Sequence, residues 1–166
     1  MALGDISTFM LETTSIAIRH TRVGRDVAFP FLTQIDLTTI FRGYGPLPAV
    51  VGNAGQTGAW DAAGQSRDVL LSDGSRAHEE LTNCSPPKYF SYIVSGFTGI
   101  LRFFIRRAPG EWRFEEQSGG TSVHWTYTFE ARSLFIFPFL LAVIRPLWQG
   151  YMRQALREAV AQLESQ

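Results

Sequence analysis

The sequence predicts an α+β fold: an antiparallel β-sheet of about seven strands and a long C-terminal helix, with two short helices after strand one. Three observations predict it. Runs with a two-residue apolar period crowd the stretch from residue 66 to 131, each separated from the next by turn-forming dipeptides. The period then changes, and Leu147, Trp148, Tyr151, Met152, Ala155, Leu156, Ala159, Val160 and Leu163 form an i, i+4 stripe opposite polar residues. Between strand one and the sheet, two brief apolar segments stand behind Asp26 and Asp36, residues suited to cap a helix N-terminus.

In chain order, "TSIAIRH" (14–20) alternates Ile16 and Ile18 with smaller or polar residues and reads as strand one. "VAFPFL" and "LTTIF" read as the two short helices, Pro30 limiting the first to about a turn or two. Residues 43–64 hold six glycines and two prolines around "PLPAVVG", a strand flanked by a glycine-rich loop. Five strand-like runs follow: "RDVLLS", "AHEELT", "KYFSYIVS", "EWRFEEQ" and "TSVHWTYTFEA". Asp73-Gly74, Pro86-Pro87, Pro109-Gly110 and Gly119-Gly120 mark the turns between them, so an antiparallel meander is expected. In the last run Val123, Trp125, Tyr127 and Phe129 share one face and Ser122, His124, Thr126 and Thr128 the other. The C-terminal helix is expected to kink near Pro146.

Composition narrows the function classes. The 166 residues, 45% hydrophobic and 13% aromatic, suit one domain spanning 1–166 with a sizeable core. Net charge is zero with no run of like charges, so nucleic acid is not an expected partner. Cys84 is the one cysteine, which excludes an internal disulfide and a cysteine-based zinc site. The first residues, "MALGDISTFMLETTS", lack a basic n-region, and the apolar run Leu134–Ile144 is interrupted by Pro138 and too short for the roughly 20 residues of a membrane span. A cytoplasmic protein is the reading, with that run a buried approach to the helix or the lining of something greasy. No histidine pair has metal-ligand spacing, and neither a phosphate-binding loop nor a nucleophile elbow is present. Gly43 and Gly45 lack the strand-to-helix context and third glycine of a dinucleotide fingerprint. No metal and no cofactor are expected.

The order strand, two short helices, six-stranded meander and long helix is that of the helix-grip fold. The stretches "TGAWDAAGQSRDVLLSDGSRAHEEL", "PPKYFSYIVSGF" and "GEWRFEEQSGGTSVHWTYTF" resemble the START-like (SRPBCC) superfamily, in particular its bacterial polyketide cyclase/dehydrase-like branch, from about residue 12 to 163. The resemblance implies a strongly curved antiparallel sheet wrapped around the long C-terminal helix, with an apolar cavity between them that takes lipids, polyketides, steroids or other hydrophobic ligands. Some members catalyse cyclisation or dehydration, and many only bind or carry. No shared catalytic motif carries over to residues of this chain.

The charged stretch "SRDVLLSDGSRAHEEL" (66–81) is the sharpest local question, because a one-residue slip of register moves every side chain to the other face. A two-residue Asp73-Gly74 turn would mix Val69 and Leu71 with Arg76, His78 and Glu80. A three-residue Ser72-Asp73-Gly74 loop, with Gly74 left-handed, instead pairs Val69 with Ala77 and Arg67 with Glu79 on an inner face, leaving Asp68 and His78 outside. The second register is the expected one. The inner pair either rivets the meander or supplies the polar end of a ligand cavity, where Arg67 would bond a carbonyl, hydroxyl or carboxylate. Glu79 as a general base is disfavoured by the arginine beside it.

The expected cavity residues are Arg67, Glu79, Tyr92, Trp112, Trp125, Tyr127, Trp148 and Tyr151, the aromatics serving either as core or as ligand contacts. Residues 52–58 and "FTGILRFFI" (97–105) are the candidate rim, and Phe103 and Phe104 alternatively make a homodimer or membrane-touching patch. Three functions follow: binding or carrying a hydrophobic small molecule, a polyketide cyclase or dehydratase, and a protein-interaction module without ligand. The first is the main reading, and no catalytic residue is assigned.

Overall fold

The computed structural model describes residues 11–166, so the reading of the N-terminus lies largely outside the described residues. Strand β1 (Glu12–Thr21) is followed by helices α1 (Arg25–Thr33) and α2 (Leu37–Ile40). Strands β2 (Val50–Ala54), β3 (Ser66–Leu71), β4 (Arg76–Ser85), β5 (Tyr89–Ser95), β6 (Ile105–Gln117) and β7 (Gly120–Ala131) then form a meander. A 3-10 turn at Ile100–Phe103 precedes β6, and the chain ends in α3 (Phe137–Phe139), a π-helical turn (Leu140–Ile144) and α4 (Arg145–Glu164). All seven strands make one antiparallel sheet in the order β1-β7-β6-β5-β4-β3-β2.

The turn chemistry decides the β3–β4 register. Gly74 has φ of 83°, its N–H reaches Leu71 O at 3.0 Å, and Leu71 N–H reaches Ser75 O at 2.9 Å, closing a three-residue loop. Asp73 accepts from both the backbone N–H and the hydroxyl of Ser75, bonds that hold its carboxyl below the usual range. Val69 therefore opposes Ala77 and Arg67 opposes Glu79, while Asp68 meets His78 outside at 2.8 Å.

Four local expectations are revised. Asp36 does cap α2, accepting from Thr38 N–H, but α1 is capped by Gly24, whose carbonyl takes the N–H groups of Val27 and Ala28; Asp26 lies inside the first turn. Pro30 also fails to stop α1 early: the helix runs nine residues to Thr33. Pro109-Gly110 is not a turn but lies inside β6, opposite Ile93 and Tyr92. Proline has no N–H to place in a ladder, and the β6–β7 partners skip from Arg107↔Glu130 to Gly110↔Tyr127 around it. Finally, Ile16 and Ile18 point outward, 52% and 55% exposed, while Thr13, Ser15 and Ala17 face in. Helix α4 lies so close to β1 that Gln149 exchanges two hydrogen bonds with the Ile16 backbone, N–H to Oε1 at 3.2 Å and Nε2–H to O at 2.7 Å. Only small side chains fit beneath it, and the same glutamine satisfies an otherwise open sheet edge.

Pro146 is the second residue of α4, and the π-helical stretch Leu140–Ile144 runs directly into that helix, so the irregularity in the hydrogen-bond ladder falls just ahead of the residue that lacks an N–H. There Leu140 and Ile144 turn inward, but Leu134, Phe135, Phe139, Leu141 and Val143 are exposed, so the run is buried only in part. Among the described residues no helix is long and apolar enough to cross a membrane.

Gly110 shows how tightly the sheet is built: a Cβ there would run into the Tyr92 ring. Gly110→Ala is expected to lower unfolding stability by about 1–3 kcal/mol, the usual cost of overpacking a filled site, read from the midpoint of urea denaturation.

Candidate functional site

The concave face of the sheet, α4 and the two short helices enclose an apolar cavity of about 140 Å³. Its location follows from the asymmetric grip. Helix α4 packs on β1, α1 and α2, and the small residues of β1 draw it to that side, so the space opens over β3, β4 and β5. All eight residues expected from sequence line it: Arg67, Glu79, Tyr92, Trp112, Trp125, Tyr127, Trp148 and Tyr151. Lining residues that keep some exposure, Leu47, Leu71, Phe97, Leu101 and Trp148, mark the mouth. Phe97, Leu101 and Ile105 come from the stretch expected at the rim.

Aromatic rings fill the floor. Trp112 and Trp125 stack at 4.8 Å across β6 and β7, and Tyr127 lies 4.7 Å from Trp148 on the helix. The indole N–H of Trp125 donates to the Tyr92 hydroxyl at 2.9 Å. Tyr151 acts instead as a tie between helix and loop. Its hydroxyl donates to Pro48 O and accepts from Gly43 N–H, both at 2.9 Å, fastening the segment before β2 to α4. Trp148 Nε1 is buried without a hydrogen-bond partner among the described residues.

Arg67 and Glu79 are the charged residues of the lining, each 6% exposed. Arg67 Nε donates to Glu79 Oε2 at 2.7 Å, and its guanidinium lies 4.0 Å over the Trp60 ring. Pairing and stacking together make a charge tolerable where bare desolvation would cost several kcal/mol. Sequence reasoning missed Trp60: of its two candidate rim segments, 52–58 contributes no residue to the cavity lining, while Trp60 just beyond it does. The residue is 2% exposed, with φ of 61° in the left-handed region, a strained conformation for a bulky side chain. A lone tryptophan amid glycines is the signal that pointed there. Arg67 and Trp60 also wall a second, polar cleft lined by Gln34, Asp36, Asn53 and Gln56, and so separate the apolar interior from a wet exterior.

Burial sets the proton chemistry. Tyr92 and Tyr127 have phenol pKa values pushed far up, first by desolvation; the charge of Glu79 adds to both, and Tyr92 adds to Tyr127. Burial likewise raises Tyr151 and the Cys84 thiol, so both stay protonated near neutrality.

The family model described as "Polyketide cyclase / dehydrase and lipid transport" matches residues 22–164. The chain belongs to this family. No curated protein matches the sequence. Among solved structures, the ginseng major latex-like protein 151 from Panax ginseng superposes with a TM-score of 0.68 at 14% identity, covering 92% of this chain and 97% of that one. The structure named Ara h 8.0201 gives 0.63 at 13% identity, covering 93% and 99%. The di-domain ARO/CYC BexL from the BE-7585A biosynthetic pathway gives 0.64 at 17% identity, covering 94% of this chain and 51% of that one, so this family member matches about half of BexL. At such identities the likeness is one of fold. That family fold is a hydrophobic ligand-binding one.

Two outcomes test the site's energetics. Arg67→Met is expected to cost about 3–5 kcal/mol, because Glu79 is left buried and unpaired, whereas Arg67→Met with Glu79→Leu returns close to the parent stability; denaturant unfolding reads both. The phenols give a pH signature. Their folded-state pKa values stand above the unfolded value of about 10, so the folded protein keeps protons that the unfolded chain releases. Stability from these groups is complete below about pH 10 and falls as pH rises beyond it. Phenolate absorbance of Tyr92 and Tyr127 should accordingly appear only with unfolding.

Proposed function

We propose that this protein binds or carries a hydrophobic small molecule, lipid or polyketide-like, that ends in a hydrogen-bond acceptor. The carrying observation is a cavity apolar throughout except for the Arg67–Glu79 pair and a few aromatic donors. An apolar enclosure with a few convergent polar groups is the usual form of a small-molecule site. Arg67 uses Nε for Glu79, which leaves the rest of its planar fork to a ligand carbonyl or carboxylate.

Size constrains the ligand. A volume of about 140 Å³ resembles the roughly 150 Å³ engineered cavity that admits benzene. One ring or a short acyl end fits, and a longer molecule extends through the mouth or spreads the walls. The binding reading is preferred over a cyclase or dehydratase because the groups available for proton transfer are poorly poised. The Tyr92 and Tyr127 phenols are held neutral, and the Glu79 carboxylate is committed to arginine.

Native mass spectrometry and solvent extraction of the purified protein test the proposal. A copurifying hydrophobic molecule, or saturable displacement of anilinonaphthalene sulfonate by fatty acids, is expected. Displacement should weaken about tenfold in Arg67→Met/Glu79→Leu, for the loss of roughly one charged hydrogen bond. A protein that carries nothing and binds neither dye nor fatty acid overturns it. Unchanged fatty-acid affinity in the folded double variant would leave the pair with a purely structural role.

A further inference from the structure

We propose that the face around the cavity mouth docks on an anionic lipid surface. This goes beyond the binding of a ligand and does not depend on which molecule, if any, the cavity holds. Among the described residues, seven of the eleven exposed large apolar side chains belong to two segments, 100–103 and 134–143. Phe135 is 93% exposed, Ile100 68%, Leu134 66% and Phe103 56%, values that water alone does not favour in one place.

The two segments are neighbours and not separate accidents. Phe104 and Phe139 lie 5.0 Å apart, and Arg132 N–H donates to Phe104 O at 3.0 Å. The same elements also line the cavity, through Leu101 and Ile105 from one and Ile144 from the other, Leu101 standing at its mouth. In the π-helical turn Leu140 and Ile144 face inward while Leu141 and Val143 face out, so one turn serves cavity and patch together.

Charge identifies the occupant. The chain has zero net charge, yet no Asp or Glu occurs in residues 96–110 or 131–147. Those stretches hold five arginines: Arg102, Arg106, Arg107, Arg132 and Arg145. Arg107 is neutralised by Glu130 through two 2.7 Å contacts. The other four are exposed and form no salt bridge among the described residues; Arg102 lies 4.6 Å over the Phe103 ring. Exposed apolar side chains and four exposed arginines within the same two stretches, with Arg145 Nε also donating to Thr14 O at 3.3 Å, match a bilayer whose interior takes the rings and whose phosphates take the guanidinium groups. A second copy of this chain would bring like charges together and is disfavoured.

Co-sedimentation of the full chain with vesicles of phosphatidylcholine and phosphatidylglycerol in equal parts tests the proposal. Binding at low salt, weakened by added salt, is expected. Phe135→Asp, at a fully exposed position that spares the fold, should lose at least about tenfold in affinity. Arg102→Gln with Arg132→Gln should lose about twenty-five-fold, at roughly fivefold per arginine near an anionic surface. Absent binding, equal affinity for pure phosphatidylcholine, or undiminished binding by either variant overturns the proposal. So does a stable dimer in sedimentation equilibrium that Phe135→Asp dissociates.

Discussion

A sheet can hold a helix closely only where the facing side chains are small. Here that constraint is met on one side, where Thr13, Ser15 and Ala17 of β1 lie beneath α4 and Gln149 binds the strand's own backbone. Ala155 and Ala159 of α4 are fully buried in the same packing. The helix is thereby drawn toward β1, the large residues of β4 to β7 meet across a wider gap, and the cavity is what remains. Interior packing elsewhere is dense, with Leu81, Val123, Met152 and Leu156 wholly excluded from water. The void is therefore a consequence of where the fold places its small residues, and not of a loose core.

Into that void the sheet register delivers one charged pair. Arg67 and Glu79 are cross-strand partners, so their meeting costs little additional ordering once β3 and β4 are zipped. The aromatic plane of Trp60 covers the guanidinium, and the glycine-rich loop that carries Trp60 separates the apolar interior from the polar cleft outside. One arrangement thus serves two demands, holding a buried cation and keeping the cavity apolar. An arginine whose carboxylate partner occupies only part of its fork is both anchored and still able to bind.

The mouth lies at the other end of the same β3 face, past Val69 and Leu71. Its surroundings reverse the interior pattern, with apolar side chains turned outward and exposed arginines in the same stretches of chain. Leu101 and Ile144 stand where the two apolar surfaces join. A greasy molecule moving between cavity and surroundings would meet little exposed polar surface along that path, which gives the cavity and the outer patch a common physical logic.

Much of this architecture was legible in residue order. The strict alternation of residues 122–129 assigned both faces of β7, and the position of Gly74 fixed the β3–β4 register and with it the inner pair. Both rest on local rules, the two-residue strand period and the left-handed tolerance of glycine. What failed were sites where tertiary contact overrides local preference. Pro109-Gly110 carries turn chemistry, yet a ladder gap and the Tyr92 ring over Gly110 hold it in a central strand. Ile16 and Ile18 have the apolar character of inward residues, but the nearness of α4 leaves room only for Ser15 and Ala17. Trp60 and the half-exposed run 134–144 were decided the same way, by a guanidinium twelve residues from its carboxylate and by a cavity mouth assembled from distant segments. Sequence alone determined which residues alternate and where the chain turns; only the folded structure decided which apolar residues water would still touch, because that depends on how near another element comes.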